Sequence, residues 1–177
     1  MTYLLGVDPG WKNLGYAILK EEDGEFTLLK SGVENPSLKD ADFPEYFYGC
    51  VFQNVYDKDD LHPDALPELA QVSIERYVPY NNTFSAEAEN ITMLIGGLRE
   101  AFKPVNLYRA IDWKTALVKM LVKHTGFDNP STSLDKKFSI AAAKHILNNK
   151  GDFNSDHEAD AVCLSAFPVL ASRYAKA

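Results

Sequence analysis

Leu4-Leu5-Gly6-Val7-Asp8-Pro9-Gly10-Trp11-Lys12-Asn13-Leu14-Gly15-Tyr16-Ala17-Ile18-Leu19 is the stretch on which the rest of the chain turns, because it sets one acid inside an apolar, strand-like run. An ionised carboxylate is expensive to bury unless a cation or hydrogen-bond donors meet it. Asp8 follows four apolar or small residues and precedes a Pro-Gly turn, so a bound metal is the economical explanation. The turn from Pro9 to Asn13 carries glycine, the residue that tolerates positive φ, and leads into the second apolar run, Leu14–Leu19. The stretch therefore predicts a β-hairpin with Asp8 near the end of a central strand. The same residues have a plainer reading, an Asp-Pro-Gly turn whose acid only caps backbone amides.

The 177 residues, 46% of them hydrophobic, suffice for one well-cored domain and are few for two, so 1–177 is read as a single domain. The N-terminus lacks the charged, apolar and small-residue pattern of a leader, and no apolar run is long enough to cross a bilayer, which predicts a soluble cytoplasmic protein. Cys50 and Cys163 lie in apolar helical patterns without Cys-x-x-Cys spacing, which argues against a zinc knuckle or disulfide scaffold and leaves them as core filler. The net charge of -7 speaks against a nucleic-acid partner on average, but the charge is segregated. From Glu21 to Glu75 there are 14 acidic and 3 basic residues (net -11), and from Lys103 to Lys150 there are 9 basic and 3 acidic (net +6). The second segment is either a basic face or the solvated side of ordinary helices.

Along the chain, Glu25–Val33 is β-prone after the turn Glu22-Asp23-Gly24 and predicts a third antiparallel strand. Phe43, Phe47, Cys50, Val51 and Val55 recur at helical spacing, which predicts an amphipathic helix closed by the acidic run Asp57–Asp60. Pro63 and Pro67 make the next link irregular. Gln71–Tyr77 then gives a short strand with Val72 and Ile74 on one face and a second acid, Glu75, at its end. Ser85–Phe102 predicts a helix, with Gly96-Gly97 marking a bend or a close approach to another helix. Val105–Arg109 is a fifth strand, and Asp112 is expected to cap a helix with Trp113, Ala116, Leu117, Met120 and Leu121 turned inward. A further helix is expected from about Leu134 to Leu147.

The last helix opens Ser155-Asp156-His157-Glu158-Ala159-Asp160-Ala161, where Ser155 and Glu158 fit a capping box. Asp160, Leu164 and Phe167 share one stripe, so a third acid faces the interior. His157 and Asp156 flank it, which gives this first turn up to three metal-ligand candidates. Asp156 can also be explained as an acid at a helix start, favoured by the helix dipole.

The order Gly-Val-Asp-Pro-Gly-x-x-x-x-Gly, an Ile-Glu strand end, and His-x-x-Asp-Ala opening the C-terminal helix resembles the RuvC family of Holliday-junction resolvases. The likeness runs through the Asp8 hairpin, Ser73-Ile74-Glu75, Tyr108–Lys119, Leu134-Asp135-Lys136-Lys137 and His157–Ala161. It implies an α/β, RNase H-like fold with a five-stranded mixed sheet flanked by helices. By the same resemblance, Asp8, Glu75, His157 and Asp160 take the catalytic, metal-binding positions, and Lys114, Lys136 and Lys137 the DNA-contacting ones. The implied activity is structure-selective cleavage of branched DNA by a homodimer.

The chemistry asks for such a cluster on its own account. Phosphodiester hydrolysis is served by two ions about 3.5–4 Å apart, and Mg²⁺ prefers hard oxygen ligands, with Mn²⁺ able to substitute. His157 would be either ligand or proton carrier, and Asp8 would bridge the ions. The chain departs from the family where bacterial enzymes place a Phe three residues after the strand-end Glu. That position is Val78 here, and aromatics stand instead at Tyr77 and Tyr80, where they are expected to stack on unpaired bases. A compact, acidic form of this kind is similar to bacteriophage-borne relatives. Two rivals stand beside this reading. One is a nonenzymatic nucleic-acid-binding module on the same fold. The other is an actin-like or sugar-kinase phosphotransferase, whose Asp-x-Gly hairpin is related but whose second lobe and Gly-rich phosphate loop are missing here.

Overall fold

The computed structural model describes residues 1–38, 42–59, 69–78, 85–131, 133–153 and 155–175, with the side chains of 54–59 and 70 outside the description. Five strands, β1 (Thr2–Asp8), β2 (Leu14–Glu22), β3 (Glu25–Glu34), β4 (Leu69–Arg76) and β5 (Val105–Arg109), form one mixed sheet in the order β3-β2-β1-β4-β5. The helices are α1 (Phe43–Asp59), α2 (Ala86–Ala101), α3 (Ala110–Thr125), α4 (Lys136–Ile146) and α5 (Asp156–Tyr174). This is the α/β architecture the sequence implies.

The first hairpin pairs β1 with β2 antiparallel, from Thr2 opposite Glu21 to Asp8 opposite Gly15. The second closes through Asp23 and Gly24, both at positive φ (51° and 89°), the backbone that a two-residue hairpin turn requires. β4 runs parallel to β1, and β5 parallel to β4. The carboxyl ends of β1, β4 and β5 therefore share one edge of the sheet, the edge where open α/β sheets present their sites.

Side chains alternate across each strand, so each face collects its own set of residues. Tyr3, Leu5 and Val7 of β1, Leu14, Tyr16 and Ile18 of β2, and Val72 and Ile74 of β4 pack with Phe43, Phe47 and Val51 of α1 and Ile91, Leu94, Ile95 and Leu98 of α2. The opposite face, which includes Leu4, Ala17 and Leu19, carries α5, with α3 and α4 outside it. Every residue of α5 from Glu158 to Phe167 is buried. The sequence suggested a single buried stripe on α5; the helix is covered all round because the sheet lies on one side of it and two helices on the other.

The structure refines three local expectations. α3 starts at Ala110, with Arg109 as its N-cap residue and no side-chain cap bond. Asp112 sits instead inside the first turn, 3.5 Å from Arg109 Nε, because β5 runs directly into the helix. Gly96-Gly97 does not bend or break α2, but Gly97 does mark the close approach of another helix, since an added Cβ would lie 2.7 Å from Pro44 Cγ of α1. Ser155 Oγ accepts from the Glu158 amide (3.1 Å), as the capping box expects, and the Glu158 carboxylate also accepts from Ser31 Oγ at 2.6 Å, which ties α5 to β3.

Among the described residues, no helix is long and apolar enough to cross a membrane.

Candidate active site

Two glycines allow α5 to reach the acidic strand. A Cβ built on Gly6 would lie 2.0 Å from the Ala161 carbonyl oxygen, and one on Gly15 would lie 2.1 Å from that of His157. No real Cβ survives at such distances, so only glycine at these positions lets the first turns of α5 rest directly on β1 and β2. Gly15 is also the register partner of Asp8. The consequence is chemical: His157 Nδ1 lies 2.7 Å from Asp8 Oδ2. The bond to Asp8 raises the His157 pKa, and burial opposes the rise.

Alternation along β1 and β4 sends Asp8 and Glu75 to the α5 face, beside Gly6 and Ser73. Asp8 is 9% exposed, and so is Asp160 from α5. Glu75 closes the group from the end of β4. Burial, and then the charge of Asp8, push the Glu75 pKa up to about 7, with a smaller upward contribution from Asp160. The Trp113 indole, whose Nε1 donates to Glu75 Oε2 at 2.9 Å, and the Lys114 charge pull it down. The Lys114 ammonium donates to Asp160 Oδ2 at 2.7 Å. Burial raises the Asp160 pKa as well, while Lys114 opposes that rise.

Among the described residues, no group of three His, Cys, Asp or Glu side chains is already drawn together as a metal cage. One oxygen of Asp160 is engaged by Lys114, and one of Glu75 by Trp113. The donor set nevertheless fits a hard divalent cation. Three carboxylates repel one another in a largely dehydrated site, and Asp160 Oδ1 is buried with no hydrogen-bond partner. Oxygen ligands with uncompensated negative charge are what Mg²⁺ selects.

The residues proposed for DNA contact divide. Lys114 is turned inward, its side chain only 14% exposed, onto Asp160. Lys136 is exposed at the start of α4 and lies 3.4 Å from Asp156, which joins the first turns of α4 and α5. Burial raises the Asp156 pKa, but its own backbone amide, then Lys136 and the neighbouring His157 charge, outweigh burial and hold it down. Lys137 is exposed beside Lys136. Tyr77 is half-buried against the α1–α2 core, and the exposed apolar side chain at this strand end is Val78, at 58%. Tyr80 lies outside the described residues.

Two features of the site were not found from sequence. Trp113 reads there as one more apolar residue on a helical stripe, and Gly6 and Gly15 as strand residues. The signal available for Trp113 was its indole N–H, which a buried tryptophan has to satisfy.

No family model and no curated protein matches the sequence. Solved structures do. Thermus thermophilus RuvC in complex with a Holliday junction substrate is similar at 20% identity and a TM-score of 0.65, over 97% of this chain and 96% of that one. A second Thermus thermophilus RuvC structure gives 20% identity and a TM-score of 0.63, over 98% of this chain and 97% of that one. The fowlpox virus resolvase with Holliday junction DNA aligns at 16% identity with a TM-score of 0.39, over 95% and 98%. The two RuvC structures match both chains almost from end to end, and the fold of this protein is accordingly that of RuvC, a five-stranded RNase H-like α/β sheet.

Proposed function

We propose that the chain is a structure-selective endodeoxyribonuclease that resolves four-way DNA junctions, with 1–177 acting as a single nuclease domain. One observation carries the reading: Asp8, Glu75 and Asp160 converge at the carboxyl ends of β1 and β4, with His157 bonded to Asp8, in a fold matched by a RuvC structure that is in complex with a Holliday junction.

Mg²⁺, as a pair of ions for which Mn²⁺ can substitute, would supply an activated water and a stabilised leaving oxygen when held by Asp8, Glu75, Asp160 and His157. The remaining work belongs to the chain. Asp8 fixes the imidazole through Nδ1, so Nε2 is the ring nitrogen left either to bind the cation or to carry a proton, and the His157 side chain is 41% exposed toward solvent. Lys114 offsets the charge of Asp160 and shares the field of Glu75 and Asp8. Lys136, exposed beside the first turn of α5, its neighbour Lys137, and Lys114, which is paired with Asp160, are the side chains assigned to phosphate contact. Tyr77 and Tyr80 are the side chains assigned to stacking on unpaired bases. The protein works as a homodimer through the outer face of α2, in the cytoplasm of a bacterial host, as a bacteriophage-type relative.

The test is incubation with a synthetic four-way junction and a linear duplex of matched sequence, in Mg²⁺ and in EDTA. Paired nicks near the crossover, in Mg²⁺ and on the junction only, are expected. Charge reversal of Lys136 and Lys137 is expected to weaken binding to both DNAs, with the salt slope falling by about 0.9 for each phosphate that is no longer neutralised. Equal cutting of junction and duplex, or cutting in EDTA, would overturn the proposal.

A further inference from the structure

Trp113 is one of the largest fully buried side chains, at 1% exposure, packed in the core between α3 and α5. Phenylalanine or leucine would supply apolar volume there; the property peculiar to tryptophan is a hydrogen-bond donor on its ring. That donor is spent on Glu75 Oε2, at 2.9 Å. Its neighbour Lys114 donates to Asp160 at 2.7 Å. Successive helical residues point about 100° apart, so the first turn of α3 grips one acid from the sheet and one from α5. The Lys114 ammonium also lies 5.2 Å from the centre of the Trp113 ring.

A carboxylate beside two others is pushed toward solvent by repulsion unless something holds it. Asp8 and Asp160 both act on Glu75 in this sense, and the indole acts against them. We infer that Trp113 is a positioning residue of the site: its N–H fixes Oε2 of Glu75 and leaves Oε1 to serve the divalent cation. Trp113 touches neither substrate nor cation. It acts through Glu75 alone, as outer partners of metal ligands do, and their loss weakens metal binding about ten- to hundredfold. The inference rests on the metal-dependent reading of the carboxylates given above.

The chain has two tryptophans, Trp11 and Trp113, so a Trp11→Phe background leaves one indole N–H resonance to follow. Mg²⁺ is titrated without DNA, and the Trp113 indole signal is compared with the backbone amides of Gly15 and His157, which border the site. The indole is expected to move with the same midpoint as the amides. Trp113→Phe is expected to raise that midpoint about ten- to hundredfold while the metal-free protein stays folded. In a Glu75→Gln background, Trp113→Phe should add nothing, since the residue it positions is already disabled. A wild-type midpoint in Trp113→Phe, or losses that simply multiply in the double variant, overturns the inference and leaves the carboxylate site standing. Should Trp113→Phe fail to fold, an indole signal that stays still while the amides move overturns it equally. Amides that do not respond to Mg²⁺ at all remove the metal site, and the inference with it.

Discussion

On the α1–α2 face of the sheet, β1 and β4 present Tyr3, Leu5, Val7, Val72 and Ile74 to an aromatic-rich layer in which Phe43 stacks on Phe47 and Tyr16 meets Phe47 edge-on. On the α5 face the same two strands present Gly6, Asp8, Ser73 and Glu75. One face buries large side chains that stabilise by about 1.5–3 kcal/mol each. The other gives up that volume so that a helix can sit on bare backbone and bring a carboxylate and an imidazole to a strand that already carries an acid. Alternate residues of one strand thus divide the work: one set supports the sheet, and the other accepts electrostatic repulsion for the sake of a site.

The largest effects are expected where the second face is disarmed. Asp8→Asn, Glu75→Gln and Asp160→Asn should each lower junction cleavage on the order of a thousandfold or more, since each removes a candidate metal ligand and no phosphate contact. Junction binding should survive. The same variants test the repulsion. Glu75 has a pKa of about 7 when folded against an ordinary 4.5, so the folded state holds its proton more tightly. Stability is therefore lost as pH rises from about 4.5 through 7. His157 adds the same sign: its folded pKa is also raised, so its contribution is full below its ordinary 6.5 and fades as pH climbs through the folded value. Metal-free protein should become less stable across this range by as much as about 3 kcal/mol from Glu75. Glu75→Gln should flatten most of that fall. Thermal melts in EDTA across the range check it, and a wild-type curve that rises with pH would break the comparison of faces.

Glycine substitutions come next in size and probe the packing itself. Gly6→Ala and Gly15→Ala would drive a methyl group into backbone carbonyls of α5, which cannot swing aside, and should cost about 3 kcal/mol each. Gly15→Ala should also part His157 from Asp8 and depress cleavage in whatever fraction still folds. Gly97 provides the control from the other face. Its added Cβ would meet Pro44 Cγ at 2.7 Å, an overlap with a side-chain ring and not with backbone, which a change of ring pucker relieves in part. Alanine there also gains about 1 kcal/mol of helix propensity, which offsets part of the overlap, so the net loss should be about 1–2 kcal/mol, smaller than at Gly6 or Gly15. Denaturant unfolding of the three variants measures the order directly. Equal losses for Gly15→Ala and Gly97→Ala would mean that α5 is not seated on backbone.

These contrasts also explain what the sequence could and could not disclose. An apolar run ending in an acid at Leu4–Asp8 and alternation in Val72–Glu75 announce both the strands and the acids, because burial and period are local properties. Asp160 is legible for a similar reason, as an acid on the same stripe as Leu164 and Phe167. Gly15 meeting His157, or Trp113 meeting Glu75, is a contact between residues far apart in the chain, and nothing local to either residue records it. Lys114 shows the same limit. A lysine among basic neighbours suggests a phosphate contact, and only the seating of α3 against α5 turns its ammonium onto Asp160.

The smallest effects are expected on the outer side of α2, which belongs to neither face of the sheet. Glycine in the middle of a helix needs a reason, and the two glycines here have different ones. Gly97 makes room for Pro44, whereas a Cβ on Gly96 would meet nothing within 4 Å. Met93, one turn earlier, is 69% exposed. A gap beside a projecting side chain suits a two-fold partner, since Met93 of one copy can fill the space over Gly96 of the other. Gly96→Ala should then do two opposed things. Within one chain it should stabilise α2 by up to about 1 kcal/mol through helix propensity. Between chains it should weaken association by holding the helices apart, and Met93→Glu should weaken it further by placing like charges across the dyad. Sedimentation at micromolar concentration, beside thermal melts of the same samples, separates the two. Both variants associating as the wild type does would show that α2 is not the seam and that Gly96 is spared only because nothing presses on it.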